Sequence, residues 1–188
     1  VKWFLAMPIL RAYQADLKRD ICSAWARSAR VVFATLPTGG GKTVVFSDIL
    51  SEEPGASCAI AHRRELVSQM SLALARNGVR HRVIGSKDLI RQIVGIHTAE
   101  LGYSFYDPSS RCGVVGIDSL PGLNSCDPWL AQVRTWIGDE GHHFLKDNKW
   151  GRGVAMFPNA RGLLVSATCF RADGSGLGRA SDGLADAL

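Results

Sequence analysis

The sequence predicts an α/β protein with a mostly parallel central sheet and helices on both faces, on three grounds. Short apolar runs rich in β-branched residues alternate with longer stretches of helical spacing. Several of those runs are apolar almost without interruption, as strands buried on both faces must be. No internal repeat or low-complexity tract breaks the alternation.

The strands are expected at 31–34, 58–61, 81–84, 113–117, 135–138 and 163–165. Helices are expected at 11–29, 42–50, 64–76 and 88–101, the last carrying Leu89, Ile90, Ile93, Val94 and His97 on one face. On that face His97 reads as a packed histidine rather than a metal ligand. Residues 102–111 hold Gly, Pro, Asp and Ser and read as a loop. From 172 to 188 the chain is rich in Gly, Ala and Asp, as a linker or severed edge would be.

The 188 residues suit one domain, and 46% hydrophobic with 21% charged residues is the balance of a folded globular chain. The longest apolar runs, 31–36 and 163–165, fall far short of the roughly 20 residues that cross a bilayer. The start lacks an initiator Met and a cleavage site, so a partial chain with no secretion signal is expected. Cys22, Cys58, Cys112, Cys126 and Cys169 are scattered without a C-x-x-C pair, which fits reduced thiols in the cytoplasm and argues against zinc. A formal charge of +5 and a pI near 9.1 would attract polyanions, although a solubilising surface explains them equally well.

The sharpest local signal is Leu36-Pro37-Thr38-Gly39-Gly40-Gly41-Lys42-Thr43, after an apolar strand and before a helical stretch. Glycines let backbone N–H groups turn inward around phosphates, and the following helix aims its positive end at the same anion. Lys42 would reach the β- and γ-phosphates and the Thr43 hydroxyl would bind Mg²⁺. The strict G-x-x-x-x-G-K-[ST] pattern fails at its first position, where Leu36 stands.

Asp139 and Glu140 close a predicted strand, where open α/β sheets bind ligands. Beside a phosphate loop, Asp139 could hold Mg²⁺ through its water shell and Glu140 could orient and deprotonate an attacking water. Alone, such a pair reads as a solvated turn. His142 and His143 lack the framework of a metal site.

The loop and the Asp139-Glu140-Gly141-His142 box together resemble the superfamily 2 helicases of DEAD/DEAH-box type, in a phage or bacterial form. Further segments follow in the family's order. Leu10-Arg11-Ala12-Tyr13-Gln14 is similar to the element whose Gln reads adenine, and Ala61-His62-Arg63-Arg64-Glu65-Leu66 with Gln69 to the one lying along the nucleic-acid backbone. Ser119 matches the residue whose hydroxyl touches the bound strand, and Ser166-Ala167-Thr168 the element coupling hydrolysis to strand movement. Residues 171–178 resemble an extension of phage and bacterial relatives. Gly141 stands where relatives usually carry Ala, Cys169 where they often carry Pro, and Gly138 interrupts an otherwise apolar strand.

The resemblance implies a RecA-like P-loop NTPase domain over 1–178, with 179–188 leading to a second RecA-like lobe. It implies the catalytic set Lys42, Asp139, Glu140 and His142. Nucleotide contacts would come from Gln14, Thr38, Gly39, Gly40, Gly41, Lys42 and Thr43, with Mg²⁺ on Thr43 and Asp139. Arg63, Arg64 and Ser119 would touch nucleic acid, DNA favoured over RNA, and Ser166, Ala167 and Thr168 would couple the two sites. The expected function is the ATP-binding lobe of a helicase or translocase. The alternatives are a nucleotide-dependent nucleic-acid switch, or the motor subunit of a restriction or repair complex. A small-molecule P-loop kinase fits less well, because Gln14 and the Ser-Ala-Thr element have no place in it.

Overall fold

The computed structural model describes residues 9–123, 127–168, 178 and 183–186. Six strands form one sheet: β1 (Val31–Thr35), β2 (Ala56–Ala61), β3 (Arg82–Ile84), β4 (Cys112–Gly116), β5 (Val133–Asp139) and β6 (Arg161–Ser166). Their order is β1-β6-β5-β2-β4-β3, and every pairing is parallel. Helix α1 (Ala12–Ala26) precedes β1, and the crossovers that parallel neighbours need are supplied by α2 (Lys42–Glu52), α3 (Arg64–Arg76), α4 (Lys87–Leu101), α5 (Pro128–Gln132) and α6 (Lys149–Val154) with the loops.

Alternate strand residues feed two separate cores, as the period of two requires. Val32, Ala34, Ala59, Val114, Ile137 and Leu163 point to the face covered by the four long helices, against residues such as Phe46, Met70 and Ile93. Val31, Phe33, Ile60, Val115, Trp136 and Leu164 point to the other face, which Trp129, Phe144, Trp150 and Phe157 cover. Each large side chain so buried stabilises by roughly 1.5–3 kcal/mol. The second cover is built from short pieces: α5, α6 and two 3₁₀ turns, Ile117–Gly122 and Gly141–His143.

Several expected boundaries move. Ile117 opens a 3₁₀ turn instead of ending β4, β5 starts two residues earlier than expected at Val133, and α1 ends at Ala26. His81 lies outside β3, in an isolated bridge to Tyr106. His97 is fully buried, as a packed histidine should be.

At the β3 corner, a buried chain of hydrogen bonds runs through two histidines and Ser71. The Val79 carbonyl can only accept, so His81 Nδ1 donates to it (2.8 Å), and His81 Nε2, unprotonated at neutral pH because burial lowers the ring's pKa, accepts from the Ser71 hydroxyl (2.6 Å). Phe105 N–H donates to His97 Nδ1 (3.3 Å), leaving His97 Nε2 to donate to Ser71 Oγ (3.1 Å). Burial holds the His81 pKa down to about 4 and lowers that of His97, so both rings are neutral at neutral pH.

Within the stretch expected as a linker, Asp186 lies against the outer edge of β1. Its carboxylate accepts from the N–H groups of Arg30 and Val31 (2.9 and 2.8 Å), and its own N–H donates to the Val31 carbonyl (2.7 Å). Cys126, Cys169 and residues 171–177 lie outside the described residues. Among the described residues no helix is long and apolar enough to cross a membrane.

Candidate nucleotide site and its neighbours

Because all strands run the same way, their C-terminal ends share one edge. Thr35 of β1 pairs with Ser166 of β6, and Val165 of β6 with Asp139 of β5. The phosphate loop after β1 and the acidic pair at the end of β5 are thus two strand spacings apart, about 10 Å. They lie on the same side of the sheet edge.

Leu36, the residue that departs from the strict loop pattern, is buried in the core, and its N–H donates to the Ser166 carbonyl (3.0 Å). It extends β1 by one residue instead of opening the turn. The turn itself needs its glycines. Gly39 and Gly41 both adopt φ 79°, the left-handed region costly to side chains, and a Cβ on Gly40 would fall 2.9 Å from the Pro37 carbonyl oxygen. Gly41 caps α2, whose N-terminus has neither a side-chain cap nor an acidic residue in its first turn. Its positive end and backbone N–H groups are open to an anion, with Lys42 and Thr43 half-buried in the first turn. These donors suit a phosphate.

The loop is held from behind by α1. Gln14 Nε2 (3.1 Å) and the Tyr13 hydroxyl (2.9 Å) both donate to the Gly40 carbonyl, and Gln14 Oε1 accepts from Arg11 N–H (2.9 Å). Gln14 is 4% exposed, so in this arrangement its amide braces the loop. One N–H and one lone pair remain for a base. Tyr13 escaped the sequence reading as a loop contact, although it directly precedes Gln14.

Asp139 is buried, and desolvation raises its carboxyl pKa. The Glu140 N–H, donating at 2.9 Å, opposes that rise, the Glu140 charge adds to it, and Lys42 and His62 lower it. The field of Lys42 therefore reaches Asp139. Such a buried carboxylate wants a cation, and Mg²⁺ suits it and the Thr43 hydroxyl. Glu140 sits at φ 54°, a left-handed backbone that costs a non-glycine of order 1–3 kcal/mol. His142 Nδ1 lies 3.4 Å from the Glu140 carboxylate and 3.1 Å from Ser166 Oγ, which also accepts from Thr168 N–H (3.3 Å). His142 therefore bridges the acidic pair and the Ser166-Ala167-Thr168 element. Ala167 is half-buried and Thr168 exposed.

Both unusual glycines have packing causes. A side chain on Gly138 would run into the Phe144 ring, 2.8 Å from Cε2, and Phe144 stacks on Trp136. A Cβ on Gly141 would lie 2.7 Å from Phe33 Cε2 and 2.9 Å from Leu164 Cβ, so Phe33 and Leu164 together exclude alanine there.

Arg63 caps α3 and Arg64 begins it, both exposed, just past β2. Ser119 is half-buried in the 3₁₀ turn after β4, the neighbour of β2. These three residues share the same edge, on its other half. Between the halves lies an aromatic group the sequence reading did not see: His62, His143 and Trp150. No described group of three or more His, Cys, Asp or Glu could hold a metal ion. A cavity of about 540 Å³ lined by Arg30, Trp136, Phe157 and Leu184 lies away from the phosphate loop, which is open at the surface.

The fold is a RecA-like sheet of the superfamily 2 helicase and restriction-enzyme type. A family model described as "Type III restriction enzyme, res subunit" matches residues 8–171, and the chain belongs to that family. It is 31% identical over 86 residues to the Saccharomyces cerevisiae protein named "Putative ATP-dependent helicase IRC3", covering 40% of this chain and 12% of that one. Among solved structures it resembles the UvsW helicase of bacteriophage T4 (TM-score 0.59, 16% identity, 85% of this chain and 52% of that one). It also resembles a nuclease-deletion mutant of the Type ISP restriction-modification enzyme LlaGI in complex with a DNA substrate mimic. There the TM-score is 0.57 at 14% identity, over 90% of this chain and 18% of that one. The chain spans about half or less of the length of each of these relatives.

Proposed function

We propose that this chain is the first motor lobe of a nucleic-acid helicase or translocase, binding MgATP between the Lys42 loop and the Asp139–Glu140 pair. The observation that carries this reading is the placement of both elements on one sheet edge, flanking β6. Backbone N–H groups of the loop and α2 bind the phosphates, Lys42 neutralises their outer charge, and Thr38 closes the turn. Thr43 and Asp139 hold Mg²⁺, which neutralises charge on the β- and γ-phosphates when bound. Gln14 meets the adenine with its remaining N–H and lone pair. Glu140 takes the proton of the attacking water, held in position by His142. Arg63, Arg64 and Ser119 hold a nucleic-acid backbone, with DNA favoured by the DNA-bound LlaGI neighbour. Ser166, Ala167 and Thr168 couple the two halves, and a second RecA-like lobe closes the nucleotide cleft.

Nucleotide titration of the chain and its Lys42→Ala variant tests the reading. A loss of at least about ten-fold in affinity is expected, since a charge-assisted contact of 1.5–3 kcal/mol is removed. Unchanged affinity would overturn it. An arginine from a second lobe is typically worth about 10³ to 10⁵ in turnover, so this chain alone should bind MgATP yet hydrolyse it slowly and separate no strands. Rapid strand separation by the isolated chain contradicts that assignment. The rival reading, a nucleotide-dependent switch, is favoured if ATPase rate ignores added single-stranded DNA and RNA alike.

A further inference from the structure

We infer that His143, an exposed ring stacked on the buried Trp150, is a positioning residue through which bound single-stranded nucleic acid alters nucleotide affinity. The inference rests on the function proposed above and assigns its coupling to groups outside the Ser166-Ala167-Thr168 element. His143 and Trp150 lie face to face, ring centroids 5.5 Å apart at 16°. On one side the His142 ring is 4.2 Å from that of His143, and His142 in turn touches both Glu140 and Ser166. On the other side two strand-binding elements converge on the same pair of rings. His62, which directly precedes Arg63, meets His143 and Trp150 edge-on at 5.4 and 5.8 Å. Lys149 lies over the Trp150 ring (5.6 Å) and pairs with Asp118 at 2.7 Å, next to Ser119.

Trp150 is buried and packs on Phe144 with centroids 4.9 Å apart, which gives the exposed His143 ring a fixed surface to stack on. His62 Nδ1 is buried and pairs with no protein group among the described residues, so no hydrogen bond fixes that ring atom. Partial burial, then the neighbouring His142 and His62 rings, lower the His143 pKa and favour the neutral ring that stacks. At the receiving end His142 Nδ1 lies 3.4 Å from the Glu140 carboxylate, so a shift of the stack passed to the His142 ring reaches that carboxylate.

The test titrates a fluorescent ATP analogue with Mg²⁺ into the 188-residue chain, with and without saturating oligothymidylate, and reads the ratio of the two dissociation constants. The wild type is expected to show a ratio of roughly five-fold or more. In His143→Ala the ratio falls to about one while affinity without oligonucleotide stays within about two-fold, and His143→Phe, which keeps a stacking ring, restores it. Lys149→Gln, at an exposed position where folding is not at stake, lowers the ratio without abolishing it. Equal ratios in wild type and His143→Ala, or a wild-type ratio of one, overturn the inference. Analogue binding that ignores Lys42→Ala instead overturns the proposed function, so the two failures are distinct.

Discussion

The two halves of the sheet edge meet solvent by different means. On the β1, β6 and β5 half, the candidate groups are backbone N–H donors of a loop braced by Tyr13 and Gln14, a half-buried lysine and a buried carboxylate. On the β2 and β4 half, the candidate groups are exposed arginine side chains and a hydroxyl on a short turn. The first arrangement suits a small ligand of fixed shape, whose every atom can be met by a placed donor. The second suits a long polyanion that is bound by charge and can slide. Rigidity follows the ligand.

That contrast can be broken in order of effect. Gly138→Val should cost about 3 kcal/mol or more in urea denaturation, because the new side chain enters the Phe144 ring beneath the acidic pair. Next comes acid. His81 has its folded pKa held at about 4 against an unfolded value near 6.5, so the unfolded chain takes up a proton that the folded one refuses. Stability from that ring is whole above pH 6.5 and falls as pH drops toward 4, by about 3 kcal/mol at most; a urea midpoint flat across that window would refute it.

Ser71→Ala removes the hydroxyl that serves both rings, and should cost about 1–3 kcal/mol at neutral pH with little change in nucleotide affinity. An equal loss of nucleotide affinity would show that the β3 corner and the phosphate loop are not independent. The smallest effect belongs to Arg64→Ala. Its expected signature is weaker oligonucleotide binding with a salt slope reduced by about one, at unchanged stability.

Much of this was legible in the sequence, for reasons that differ by element. The central strands announced themselves because burial on both faces demands nearly unbroken apolar runs, whereas β3, at the sheet edge, is half-buried at Arg82 and Ile84. The long helices showed apolar spacing, and the phosphate loop showed glycines between a strand and a helix. Missed were α5 and α6, of five and six residues, too short for any periodicity to register. Their signals were caps alone: Asp127 before Pro128, and Asn148, whose side chain accepts from the N–H groups of Trp150 and Gly151. The His62, His143 and Trp150 group was invisible for another reason. Its members come from three separate segments that only the order of the strands brings together.

The close approach of Phe33 to Gly141 carries a consequence for descent. In any lineage of this chain that acquires a methyl group at position 141, residue 33 must shrink and the Leu164 segment of β6 must also shift, since the methyl would crowd both. Positions 33 and 141, more than a hundred residues apart in the chain, should thus change together and with an adjustment at β6.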